Sequence, residues 1–361
     1  MSPKPQPGIM NIAAYVGGKS SVGANVDVLK LSSNEGALGP SPKAIDRLSS
    51  MSAWHRYPDG GALEVREALA ERYNLPLDRI VCGAGSDEII ALLIQAYAGV
   101  DDEVLHSEHG FSMYAISAKA NGAIPVAAPE TQLCTNVDAM LAAVTPRTRL
   151  VFVANPNNPT GSYLPKAEIE RLHNGLPEDV ILVIDGAYSE YVLEPDYDDC
   201  LQRALNSKNM VVTRTFSKLY ALGGLRLGWM VGPAAIVDVM NRVRGPFNVS
   251  SAAIAAGAEA VRDQAFEEQS RQLNSEQMDR VVGAVRQLGI HTHPSVGNFF
   301  LLDFGKTEIA IEADNFLQSQ GIIVRQVAGY GLPTCLRLTL GTHEQMSRVL
   351  DALASFMEGR S

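Results

Sequence analysis

The chain has 361 residues, 46% of them hydrophobic, enough to bury a sizeable core and more than one minimal domain holds. Its 30 lysines and arginines against 40 acidic residues leave a net charge of −10, which argues against a nucleic-acid scaffold. No apolar run is long enough to cross a bilayer, the proline-rich start at residues 2–8 lacks the apolar stretch of a secretory signal, and the scattered Cys82, Cys134, Cys200 and Cys335 read as reduced core packing, so a cytoplasmic location is expected.

In chain order, residues 15–20 end like a phosphate-binding P-loop, but Ala13 stands at the required first glycine and no buried strand precedes it, which argues against nucleotide hydrolysis. Residues 80–82 read as a buried strand leading into Gly83-Ala84-Gly85-Ser86-Asp87-Glu88 and an apolar helix over 89–97. The glycines begin like a dinucleotide fingerprint, yet Glu88 occupies its third glycine position. Small residues at that helix start would open backbone N–H groups to an anion, while N-capping by Ser86 or Asp87 explains them equally well.

Further strands are predicted at 103–106, 124–126 and 150–154, the last running into Asn155-Pro156-Asn157-Asn158-Pro159-Thr160-Gly161. Taken alone, that segment is a rigid turn with asparagines chosen for turn propensity. The apolar run 180–184 ends at Asp185, which reads as a parallel strand delivering a carboxylate at its C-terminal edge, where open α/β sheets bind ligands. Such a carboxylate can pair with a pyridinium nitrogen, and Tyr188 lies three residues on.

After a strand at 209–212 comes Thr215-Phe216-Ser217-Lys218-Leu219-Tyr220-Ala221-Leu222-Gly223-Gly224-Leu225-Arg226, which sets one amine among small hydroxyls and glycines before an arginine. A lysine amine condenses with an aldehyde while neighbouring hydroxyls hold an anionic group on the same ligand, and pyridoxal phosphate carries both groups. A helical stretch over 250–288 then precedes strands at 299–303, 322–324 and 336–340. Alternating strand and helix from about residue 63 to 232 predicts an α/β fold with a mostly parallel sheet, followed by a smaller α/β domain. Seven histidines, including His106, His109 and His173, show no ligand spacing, so no metal is expected.

Asn158, Asp185, Tyr188 and Lys218 fall in the order found in fold-type I pyridoxal-phosphate enzymes of the aminotransferase class, which the chain resembles. The resemblance implies a mostly parallel seven-stranded large domain over residues 41–248, an interdomain helix with the small domain over 249–361, and an N-terminal arm over 1–40 joining that small domain. It makes Lys218 the Schiff-base lysine and proton shuttle, Asp185 the partner of the pyridinium, and Asn158 and Tyr188 the flanks of the ring hydroxyl. Gly85, Ser86, Thr215, Ser217 and Arg226 match the phosphate cup, and Phe111 the residue stacked on the ring. Gly186 stands where that class has a glutamate, a departure not expected to abolish catalysis.

The ends of the chain narrow the resemblance. Residues 14–19, 31–35, 56–60, 321–325 and 336–342 look like those of the histidinol-phosphate aminotransferase family. That likeness implies exchange of an amino group between histidinol phosphate and 2-oxoglutarate, both small molecules, giving imidazole-acetol phosphate and glutamate. Arg337 becomes the main anion clamp, Arg325 the second, Asn34 a substrate-binding residue and Tyr15 a hydroxyl donor. Tyr57 matches the tyrosine that reaches the cofactor phosphate of a neighbouring subunit, which implies a homodimer. A planar guanidinium binds phosphate or carboxylate through paired hydrogen bonds, although a strand-end surface charge is the plainer reading of Arg325. An aromatic amino-acid aminotransferase, or one enzyme with both activities, is the alternative; a phosphothreonine decarboxylase and a non-catalytic cofactor-binding protein are more distant.

Overall fold

Continuous runs of β-branched and aliphatic residues form strands that are buried on both faces, and such strands need helices above and below them. In the computed structural model, which describes residue 5 and residues 8–13 and 28–360, seven strands make one sheet, six of them buried along nearly their whole length and the edge strand at 124–128 largely open to solvent. They are β1 (Ile80–Gly83), β2 (Glu103–Ser107), β3 (Ile124–Ala128), β4 (Thr148–Ala154), β5 (Ile181–Asp185), β6 (Met210–Thr215) and β7 (Gly228–Val231), in the spatial order β1-β7-β6-β5-β4-β2-β3. β1 to β6 run in one direction and β7 opposes both of its neighbours. The fold is therefore α/β with a mostly parallel sheet, as the sequence predicted.

Residues Gly83, Gly228 and Thr215 lie side by side across β1, β7 and β6. This row ends the sheet on the side where Asp185 closes β5 and Ala154 closes β4, so one edge gathers the ends of five strands. The helix α1 (Ser86–Tyr97) starts from the same edge. A Cβ on Gly228 would sit 2.3 Å from the Ser86 nitrogen, so only glycine lets β7 pass beneath that helix start. β7 itself was not singled out in the sequence: four residues beginning with glycine carry no alternation, although Trp229 is wholly buried.

The helical stretch expected over 250–288 is two helices, Ser251–Arg262 and α2 (Gln264–Gln287). They break at Asp263, whose buried carboxylate accepts from Ser41 and pairs with Lys43 at 2.9 Å. α2 runs between two cores. Near its start, Glu267 pairs with Arg72 at 3.2 Å, and further along Val281 and Val285 enter a separate apolar cluster with Phe300, Leu317, Leu338 and Leu353.

That second cluster packs on an antiparallel sheet of β8 (His291–Thr292), β9 (Phe299–Asp303), β10 (Arg325–Gln326) and β11 (Cys335–Thr339), in the order β8-β9-β11-β10. The single strand expected at 322–324 is divided. Ile322–Ile323 pairs in parallel with Leu29–Lys30, whereas β10 turns to pair with β11. Leu29 and Leu31 are buried in this cluster, so the chain ahead of the large sheet packs against its C-terminal part.

Candidate active site

The strand ends converge on a cavity of about 320 Å³, within the size range of small-molecule sites. Among its lining residues are Asp185, Tyr188, Thr215, Ser217, Lys218 and Arg226 from the large sheet's edge, Ser86 from the start of α1, Phe111 and Asn158 from neighbouring loops, and Arg325 and Arg337 from the small sheet. Asn34 closes it. Sequence reasoning had chosen all twelve, and the fold brings them together.

Lys218 donates to the Ser33 carbonyl at 3.0 Å and lies 5.7 Å from the centroid of the Tyr188 ring. Enclosure by protein lowers its ammonium pKa to about 8; the Arg337 charge pushes the same way, while Asp87 and Glu35 oppose it. Asp185 is buried and accepts from the Tyr114 hydroxyl at 2.7 Å and from Thr213 at 3.3 Å. Burial raises its pKa to about 6, even against those two hydrogen bonds. The cavity thus holds an amine that gives up its proton more readily than an ordinary lysine and a buried carboxylate that has no cationic partner among the described residues.

Thr215, Ser217 and Arg226 cluster in the wall that also holds Lys218. Thr215 donates to the Ser217 hydroxyl at 3.1 Å, and Arg226 reaches that hydroxyl at 3.4 Å. α1 has Gly85 at its N-cap and no side-chain cap, so the expectation of capping by Ser86 or Asp87 is not met. The first-turn N–H groups are left to face the cavity, where a helix start favours negative charge. Gly85 has φ of 89°, and a Cβ there would lie 2.4 Å from an Arg226 nitrogen, so glycine makes room for the guanidinium. Asp87 opposes an anion by pairing with Arg226 at 3.2 Å, but both side chains are nearly half exposed and screened by water.

The small sheet supplies the other charged wall. Arg337 is buried in the middle of β11; it donates to the Ser32 carbonyl at 2.8 Å and to the Asn158 side-chain oxygen. Its guanidinium lies 5.3 Å from the Phe299 ring centroid. Asn34 occupies the left-handed region at φ 56°, a conformation asparagine tolerates, and is strapped to Thr339 by two 3.0 Å hydrogen bonds. Its amide donates to the Tyr188 hydroxyl at 2.9 Å. Burial raises the Tyr188 pKa to about 12, so the phenol keeps its proton.

One chosen residue is placed differently. Tyr57 does not line the cavity; it is 82% exposed and stacks on Phe247 with centroids 4.7 Å apart. Tyr15 lies outside the described residues. Others were missed. Tyr114 sits in an apolar helix with no motif around it, whereas Thr213 could have been found, because it precedes Thr215 by two on β6 and so shares its face. Tyr330, Glu35 and Asp87 also line the cavity.

A buried amine, a buried carboxylate, and hydroxyls grouped with an arginine at the edge of a mostly parallel sheet suit a carbonyl-bearing, phosphorylated heterocycle handled covalently. Residues 26–353 match the family described as aminotransferase class I and II. The chain is 54% identical over 359 residues to the histidinol-phosphate aminotransferases of Rhodospirillum centenum and Paramagnetospirillum magneticum, covering 99% of each chain in both comparisons. In fold it is similar to the crystal structure of histidinol-phosphate aminotransferase from Sinorhizobium meliloti in complex with pyridoxal-5'-phosphate, with a TM-score of 0.87, 24% identity and coverage of 93% of this chain and 92% of that one. The chain belongs to the class I and II aminotransferases and, within them, to the histidinol-phosphate aminotransferase family.

Proposed function

We propose that the protein is a pyridoxal-phosphate-dependent aminotransferase that moves the amino group of histidinol phosphate to 2-oxoglutarate, giving imidazole-acetol phosphate and glutamate. The observation that carries this reading is the sharing of one cavity by Lys218, Asp185 and the two arginines of the small sheet. The residues fit the cofactor: the cradle of Ser86, Thr215, Ser217 and Arg226 matches a phosphate, and the buried Asp185 carboxylate suits a ring nitrogen that brings a proton. Bound there, the cofactor supplies an aldehyde that takes up amino groups and a protonated ring that draws electrons from the carbon being deprotonated.

The chain's own residues do the rest. Lys218, held by the Ser33 carbonyl, is the base that carries the proton to and from the substrate carbon, and its depressed pKa keeps it effective near neutrality. Asp185 holds a proton on the ring nitrogen. Tyr188 and Asn158 orient the ring hydroxyl, and Phe111 packs on the ring face. Arg337 and Arg325 bind the substrate anion, the phosphate in one half-reaction and a carboxylate in the other, with Asn34 closing the pocket and Tyr15 contributing a hydroxyl.

Tyr57 is assigned to the cofactor phosphate of a second subunit, which makes the working unit a homodimer; its exposure and rigid stacking on Phe247 support that reading. A cytoplasmic location is supported by four free cysteines, three of them buried. Among the described residues, no helix is long and apolar enough to cross a membrane. The aromatic amino-acid alternative gains no support from the relatives' names. Glutamate-dependent amino transfer to imidazole-acetol phosphate, assayed beside transfer to phenylpyruvate, tests the substrate: a higher kcat/KM with the phosphate is expected, and a clear preference for phenylpyruvate would overturn it.

A further inference from the structure

We propose that the small sheet carries a site for a borderline-soft divalent cation of the zinc class, built from Cys335, Asp303 and His293, separate from the catalytic cavity. These residues are dispersed in the sequence, but antiparallel pairing aligns them: His291 faces Asp303 across β8 and β9, and Asp303 faces Cys335 across β9 and β11. His293 follows His291 by two. One ligand atom from each of Cys335, Asp303 and His293 lies within 4.8 Å of the others, and the His293 Nε2 to Asp303 oxygen distance is 3.3 Å. Tetrahedral zinc, with bonds of roughly 2.0–2.3 Å, sets its ligand atoms about 3.5 Å apart, so small side-chain rotations complete the geometry.

The donor set is thiolate, imidazole and carboxylate, all ligand types that zinc takes; adjacent hydrogen-bonded strands hold Asp303 and Cys335, and His293 directly follows β8. Three protein ligands leave the fourth tetrahedral position to water. Asp303 and His293 are each about a fifth exposed, which gives the ion a way in, whereas Cys335 is only 3% exposed and too enclosed to attack an external substrate. On capture the thiol and any protonated imidazole release their protons to solvent. Because Cys335 precedes Arg337 by two on β11, the ion would brace the strand that holds the anion clamp.

Equilibrium dialysis of the intact, cofactor-loaded enzyme against Zn2+, with Co2+ as a spectroscopic substitute, tests the site. One equivalent per chain should bind, and Co2+ should give the intense visible d–d bands of a tetrahedral thiolate site. Cys335→Ser and His293→Ala should each weaken Zn2+ binding by more than the roughly 10–100-fold that loss of a supporting hydrogen bond costs a metal site. His343→Ala, at the start of the last helix, should leave it unchanged. Absence of stoichiometric binding, or binding that Cys335→Ser and His293→Ala do not alter while both remain folded by circular dichroism, would overturn the proposal.

Discussion

Arg325 on β10 and Arg337 on β11 are register partners, directly opposite each other across an antiparallel pair, and both line the cavity that holds Lys218. Like charges placed opposite each other on a sheet repel, so the pairing is a cost that a bound dianion removes. Arg337 is buried and held by Ser32, Asn158 and Phe299, so the half-buried Arg325 is the less disruptive of the two to vary.

Arg325→Ala should lower kcat/KM for histidinol phosphate by one to two orders of magnitude, about the 1.5–3 kcal/mol of a charge-assisted hydrogen bond. The loss for a neutral aromatic amino acid should be several-fold smaller. Steady-state kinetics on both substrates checks this, and equal losses would remove Arg325 from phosphate recognition.

Asp185 links function to stability with a definite sign. Its pKa is raised from 3.8 unfolded to about 6 in the folded, cofactor-free protein, so its favourable contribution is complete below 3.8 and lost as pH rises through 6. At pH 8 the cofactor-free Asp185→Asn variant should therefore be the more stable, by on the order of 1–3 kcal/mol at 1.36 kcal/mol per unit, and the advantage should fade on acidification. Urea denaturation across pH measures it. Adding pyridoxal phosphate should reverse the order, and turnover should fall sharply.

With Lys218 as the proposed Schiff-base amine, capture of the cofactor requires its neutral form. With its pKa lowered to about 8, the apparent rate of covalent incorporation into cofactor-free enzyme should rise with pH through that value and level off above it. A stopped-flow absorbance profile reports the midpoint; one near the ordinary lysine value of 10.5 would show that enclosure does not tune this amine.

Gly186, where a glutamate was expected from resemblance, has a structural reason. A Cβ there would lie 2.4 Å from the Ser189 hydroxyl and 3.0 Å from the Arg214 side chain, which is buried and paired with Glu190 at 3.0 Å. Gly186→Ala should cost ~1–3 kcal/mol by overpacking while the folded fraction remains active. Thermal denaturation together with active-site titration separates the two effects.

Much of this site was legible because its chemistry sits at boundaries the sequence marks. The aliphatic run before Asp185 announces a strand end, which lies where it was predicted, and the hydroxyls around Lys218 line the same cavity as that carboxylate. Residues whose role arises from packing were not legible. Tyr114 reaches Asp185 from an ordinary apolar helix, and the split between Ile322–Ile323 and β10 depends on a distant partner, Leu29–Lys30, that local pattern cannot reveal. The alignment of His293, Asp303 and Cys335 is likewise a product of strand register.

The most direct test is to load the protein with pyridoxal phosphate, reduce it with borohydride and map the pyridoxyl label by peptide mass spectrometry. The label is expected on Lys218 alone, in one copy per chain, and to vanish in Lys218→Ala together with transaminase activity. A stoichiometric label on another lysine, or substantial turnover by Lys218→Ala, would contradict the assignment of this amine as the catalytic centre.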